Sequence, residues 1–265
     1  MLLLVWILAF LLLNLYANGL PKLFQLDVLP WLAYAAGFFV VAHLVGRYGL
    51  KLKGLVSFGL RLQKGWLKLL LLGFLVGFAI WALKYLVFYL IGKIEVAGWM
   101  DGAYIAGMLA QALFGMLLAA AINDVLIRGY WLAYCQKANL MKWYLVITTV
   151  LYALDDSWNE GIEGINLVFS AVLGISLAYT VLKTGSIWMA IGIHWGSNMM
   201  FRMMAGFNGQ GVWQLEQVKE GVTFEWISIL ITALIFPVVY LLLRNRKGNL
   251  AWQEDNVSLK RNFVI

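Results

Sequence analysis

The chain has 265 residues, of which 63% are hydrophobic and only 12% are charged, and its formal net charge is +7. A soluble domain carries about 25% charged residues, so this composition excludes an ordinary soluble protein and indicates a protein that lies in lipid. The basic excess does not indicate nucleic-acid binding, because Lys and Arg accumulate in the cytoplasmic loops of membrane proteins.

Eight apolar runs follow one another along the chain, separated by charged or glycine-rich stretches. Such runs predict helices that cross a bilayer, whose hydrocarbon core requires about 20 residues of helix. We therefore predict an all-α fold, a polytopic bundle of about eight transmembrane helices that forms a single membrane domain over residues 1–265. The runs cover residues 2–17, 28–46, 66–91, 104–127, 142–156, 165–182, 187–203 and 224–243.

The loops between these runs alternate between basic and non-basic composition. Because basic loops remain in the cytoplasm, the alternation predicts an inner or plasma membrane protein with both termini inside and a cytoplasmic tail at 244–265. The basic stretch 47–66, with Phe58 among its apolar residues, is typical of an amphipathic segment on an anionic leaflet. Gly73 and Gly77, one helical turn apart, predict close packing between helices.

Polar side chains at bilayer depth are costly, so they indicate candidate functional positions. Three predicted helices each present two polar residues four positions apart, and residues at that spacing share one helical face. The pairs are Asp124 with Arg128, Tyr152 with Asp156, and His194 with Asn198. If these faces meet inside the bundle, they form a candidate site.

Each of these features also has a purely structural interpretation. The first pair is equally compatible with an ion pair that only stabilises the fold, and the histidine with a hydrogen bond between helices. Asp155 and Asp156 are typical of a solvated acidic run at the start of an outer loop. Lys84 is explained by a side chain that extends towards the membrane surface.

Three short stretches carry a resemblance to a known family. Residues 123–130 are Asn-Asp-Val-Leu-Ile-Arg-Gly-Tyr, residues 152–156 are Tyr-Ala-Leu-Asp-Asp, and residues 194–198 are His-Trp-Gly-Ser-Asn. In this order and spacing they resemble the three motifs of the CAAX protease and bacteriocin-processing family, also called CPBP or Abi. Its motifs are Glu-Glu-x-x-x-Arg, commonly followed by Gly, then Phe-x-x-x-His and His-x-x-x-Asn; the third is matched in full and the second by position. Residues 58–60 resemble an upstream element, so the resemblance predicts a family-like core over residues 50–200.

The resemblance implies an intramembrane endopeptidase that acts on peptides or lipidated peptides in contact with membrane lipid. Family catalysis is assigned to a glutamate that activates water, helped by two histidines and an asparagine. The matching candidates in this chain are Asn123, Asp124, Arg128, Asp156, His194 and Asn198. Asp124, Asp156 and His194 would also supply three ligands for a divalent metal such as zinc, an involvement that the resemblance leaves open.

The chain departs from the family pattern where the chemistry is expected. Asn123 replaces the first glutamate and does not accept a proton at working pH, and Asp156 replaces the histidine of the second motif. Three functions remain open. The first is a divergent endopeptidase with Asp124 as base, and the second is a pseudoprotease that binds a peptide, a lipid or a partner membrane protein. The third is a small transporter with a buried Asp/His relay.

Overall fold

The computed structural model describes residues 2–24, 28–160, 163–218 and 221–246. These residues form an all-α bundle with one two-stranded sheet, which confirms the predicted fold class. The helices are α1 (Leu2–Asn14), α2 (Leu20–Leu23), α3 (Val28–Leu44), α4 (Trp66–Leu90), α5 (Gly102–Asp124), α6 (Tyr130–Lys137), α7 (Tyr144–Glu160), α8 (Gly164–Thr184), α9 (Trp188–Ala205), α10 (Val222–Ala233) and α11 (Ile235–Leu243). Most of the cytoplasmic tail predicted at 244–265 lies outside the described residues.

Each of the eight apolar runs lies on helix, and six helical segments of the described residues are long and apolar enough to cross a membrane. This arrangement is that of a multi-pass membrane protein. The two remaining runs correspond to α7, which has 17 residues, and α9, which has 18 and carries a histidine, an asparagine and an arginine. These two helices are less apolar because they carry the second and third motifs.

In the described part of the chain, three short π-helical turns interrupt the long helices, at Leu15–Gly19, Val45–Gly49 and Val125–Gly129. The first joins α1 to α2, and the third joins α5 to α6, so that residues 102–137 run as one continuous span. A π-turn widens the helix by one residue and is frequent at functional positions. The third turn lies within the first sequence motif.

A small sheet joins two loops at one end of the bundle. Strand β1 (Ile94–Trp99) pairs antiparallel with β2 (Trp213–Val218), and Trp99 lies opposite Trp213. The sequence analysis did not predict these strands. The predicted alternation of eight spans places both loops on the same side of the membrane, and their pairing agrees with this.

Helices α4 and α9 approach each other through glycines on both sides. A Cβ atom on Gly77 would lie 2.1 Å from the Ile193 carbonyl oxygen, and one on Gly196 would lie 2.1 Å from that of Phe74. The backbones are therefore in direct contact, as the glycine spacing predicted. His194 is two residues from Gly196, so its side chain points away from α4 towards the opposite side of α9.

The segment between α3 and α4 packs against the first motif and against the start of α9. Phe58 is fully buried, and a Cβ on Gly129 would lie only 2.0 Å from its carbonyl oxygen. The Gly59 carbonyl accepts a hydrogen bond from the Ile187 amide at 3.3 Å. Phe58 also packs against the Tyr130 ring, with ring centroids 5.4 Å apart, so this residue of the predicted amphipathic stretch lies in the protein core.

Candidate functional site

The first motif places an ion pair at the centre of the bundle. Asp124 ends α5, Arg128 lies in the π-turn that follows, and both side chains are fully buried. The Arg128 Nη1 atom donates to Asp124 Oδ1 at 2.6 Å and to Asn123 Oδ1 at 3.3 Å. The guanidinium also lies over the Tyr152 ring, with Cζ 4.3 Å from the ring centroid. The contact between Gly129 and Phe58 fixes the backbone next to this pair.

The third motif brings a histidine to the same carboxylate. His194 Nδ1 lies 3.4 Å from Asp124 Oδ2, the oxygen that Arg128 does not occupy. The Tyr152 ring packs edge-on against the imidazole, with ring centroids 6.0 Å apart. Asp124 therefore lies between a guanidinium and an imidazole, and the structure brings the first and third motifs together.

In the second motif, Asp155 rather than Asp156 faces the first motif. Asn123 Nδ2 donates to Asp155 Oδ2 at 3.3 Å, and Asp155 is only 9% exposed. Asp156 instead accepts a hydrogen bond from the buried Ser170 hydroxyl of α8. The interpretation of both aspartates as a solvated run was wrong, because α7 continues past them and packs against α8.

Two site residues escaped the sequence analysis. Asn14 and Asn18 of the N-terminal helix both donate to Asp155 Oδ1, at 3.0 Å and 2.9 Å. They are four residues apart: Asn14 directly precedes the first π-turn, and Asn18 lies within it. Two amides at helical spacing, one within the apolar first run and one directly after it, were a signal that could have identified them, since an unpaired amide in lipid is costly.

A cavity of about 240 Å³ lies beside these groups. The N-terminal helices supply one wall, and α5, the adjoining π-turn and α9 supply the other. The lining residues are Ala17, Asn18, Trp31, Tyr34, Ala119, Ile122, Asn123, Leu126, His194 and Asn198. Asn123, His194 and Asn198 are thus accessible from the cavity, whereas Asp124 lies behind them and is fully buried.

Comparison with known protein families matches part of the chain. The model of the Rce1-like family, described as type II CAAX prenyl endopeptidase Rce1-like, matches residues 105–200, which include all three motifs. The resemblance to the CAAX protease family is thereby confirmed for this segment. The search of curated proteins and the search of solved structures found no match. The part of the predicted core that precedes residue 105 stays a prediction.

The Rce1-like segment does not assemble the three metal ligands proposed from the sequence. Among the described residues, no group of three His, Cys, Asp or Glu side chains lies in a position to hold a metal ion. Asp124 is engaged by Arg128, and Asp156 binds Ser170 on the side of α7 that packs against α8. These side chains therefore do not fit a shared zinc site with His194.

Lys84 lies outside the Rce1-like segment and outside the site. Its side chain is 5% exposed, and Nζ lies 3.2 Å from the centroid of the Trp81 ring. The expectation that Lys84 extends to the membrane surface was wrong, because the ammonium group instead packs on aromatic rings in the interior. This contact is a cation–π interaction, which is strongest when it is removed from water.

Proposed function

We propose that the chain is a CAAX-protease-like membrane protein that binds a peptide or a lipidated peptide in this cavity without cleaving it. The proposal depends on one observation: among the described residues that line the cavity, none is a carboxylate. A general base must lie within hydrogen-bond reach of the water it activates. Asn123 is not a base, and Asp124 is fully buried and bound to Arg128.

The cavity is nevertheless suited to binding. Its polar groups are carboxamides and an imidazole, which donate and accept hydrogen bonds, and they converge on a space between helices where ligand sites commonly lie. Trp31 and Tyr34 add apolar surface on the opposite wall. A lipid chain attached to the peptide would extend between the helices into the bilayer.

One observation favours a second function, peptide hydrolysis with His194 as the base. His194 lines the cavity, and its Nδ1 atom faces Asp124 Oδ2 at 3.4 Å. A carboxylate behind a histidine fixes the orientation of the ring and stabilises the imidazolium that forms when the ring takes a proton. In this arrangement Asp124 would orient the ring and would not itself activate water.

A binding and cleavage assay separates the two functions. The purified protein in nanodiscs is incubated with a farnesylated cysteine peptide, and bound peptide and cleavage products are both measured. We expect saturable binding without products, and binding weakened at least about tenfold in His194→Ala, because a partner group in the cavity is lost. The matched control is Leu86→Ala, which changes an exposed residue of α4. Products that disappear in His194→Ala would establish the hydrolase, and absence of binding would refute the proposed function.

We also propose that the chain lies in an inner or plasma membrane with both termini in the cytoplasm. The support is that loops predicted to share a side contact each other, as in the sheet of β1 with β2 and the hydrogen bond of Ile187 to Gly59. Fluorescent-protein and alkaline phosphatase fusions at the C-terminus test the orientation. A phosphatase fusion that is active, paired with a dark fluorescent fusion, would contradict it.

A further inference from the structure

The N-terminal helix lies outside the Rce1-like segment, yet it forms part of the site. Asn18 lines the cavity and, together with Asn14, donates to the Asp155 carboxylate of α7. The π-turn Leu15–Gly19 begins directly after Asn14, so the two amides reach the same oxygen from successive turns. This arrangement ties the first helix of the chain to the second motif.

The opposite wall of the cavity also carries carboxamide side chains. Asn123 also donates to Asp155 at 3.3 Å, and both Asn123 and Asn198 line the cavity. Carboxamides from three helical segments thus surround one space. Each carboxamide both donates and accepts hydrogen bonds, as does a peptide group, so these side chains match an amide in either orientation.

The charges around the cavity disfavour an anionic ligand. Among the described lining residues there is no Lys or Arg, and the nearby Arg128 guanidinium is buried in its contacts with Asp124 and Asn123. The Asp155 carboxylate lies directly behind Asn18 and Asn123. A free carboxylate placed between these amides would lose its water, gain no Lys or Arg partner from the described lining residues and approach a like charge.

We propose that Asn18, Asn123 and Asn198 form a subsite for an uncharged C-terminal carboxamide, and that it discriminates against a free C-terminal carboxylate. This inference rests on the proposed function, since it names the ligand group that the same cavity takes. Asn14 does not line the cavity and acts as a positioning residue through Asp155.

Two probe peptides test the subsite. Both are the same farnesylated cysteine peptide, one ending in a free carboxylate and the other in a carboxamide, and both are titrated into the full-length protein in nanodiscs. We expect the carboxamide peptide to bind at least about tenfold more tightly, because a buried group without partners costs about 1–3 kcal/mol. Equal affinities, or tighter binding of the carboxylate, would overturn the inference and leave the proposed function standing. Absence of binding by either peptide would overturn both.

Variants link the preference to the asparagines. In Asn18→Leu the ratio of the two affinities should fall to about one, since a wall of the subsite then offers no amide. Leu11→Ala, on the exposed side of the same helix, should keep the ratio. Asn198→Leu changes the opposite wall and gives the same test if Asn18→Leu does not fold. A preference that persists in a folded variant of either wall would refute the subsite.

Discussion

We expect the intact ion pair of Asp124 and Arg128 to add little to the stability of the protein, whereas the loss of one partner alone lowers it strongly. Its atoms are 2.6 Å apart and both side chains are fully buried. At the effective dielectric constant of about 20 that describes such sites, the attraction amounts to about 6 kcal/mol. Most of this energy offsets the cost of removing two charges from water, so the intact pair contributes little in total.

Removing one partner alone leaves the other charge buried without compensation. We expect Arg128→Met and Asp124→Leu each to lower the free energy of unfolding by about 3–5 kcal/mol, whereas the double variant loses less than about 2 kcal/mol. Equilibrium unfolding in mixed detergent micelles measures all four proteins. Both variants that lack Arg128 also lose its hydrogen bond to Asn123 and its packing over the Tyr152 ring. These lost contacts account for the decrease in stability that remains in the double variant.

The double-mutant cycle also provides the result that would refute this reasoning. If the double variant loses as much stability as the sum of the two single variants, the residues do not interact in the folded protein. If each single variant is as stable as the wild type, the charges are not buried as the structure shows. A double variant that folds and still binds the farnesylated peptide would show that the pair is structural.

Two further outcomes are expected from packing. Gly129→Ala should destabilise the protein by about 3 kcal/mol in the same unfolding assay. The new Cβ would lie 2.0 Å from the Phe58 carbonyl oxygen, so the backbone must move. A variant as stable as the wild type would contradict this contact. Lys84→Met should raise the free energy of unfolding by about 1 kcal/mol, because burial of an ammonium group costs more free energy than its cation–π contact contributes. A lower stability of the variant would show that the cation–π contact is the larger of the two.

The sequence predicted the helical fold, because long apolar runs specify membrane spans. Residues four apart specify a shared helical face, which identified Asp124 and His194 as candidates but left the meeting of their helices conditional. The structure brings the two side chains within 3.4 Å of each other. The same spacing rule favoured Asp156 over Asp155. The two residues are adjacent in α7 and therefore face different directions. Asp156 accepts a hydrogen bond from Ser170 of α8, so Asp155 is the residue that faces the first motif.

Contacts between distant parts of the chain could not be predicted in this way. Asn14 and Asp155 are 141 residues apart, and no local pattern connects them. The strands β1 and β2 were missed for the same reason, since each is six residues long and has its partner far along the chain. A polar residue in an apolar helix indicates that a partner exists, but its sequence position does not identify which one.

The close contact between α4 and α9 has a consequence for how a ligand reaches the cavity. Backbone touches backbone along Gly73, Gly77, Gly192 and Gly196, so α9 has no room to tilt or rotate without separating the two helices. The first two spans of the chain, in contrast, are each only 17% buried over their most apolar windows. We therefore expect the wall that carries Asn18 to move more readily than α9, and a lipid-borne peptide to reach the cavity from that side.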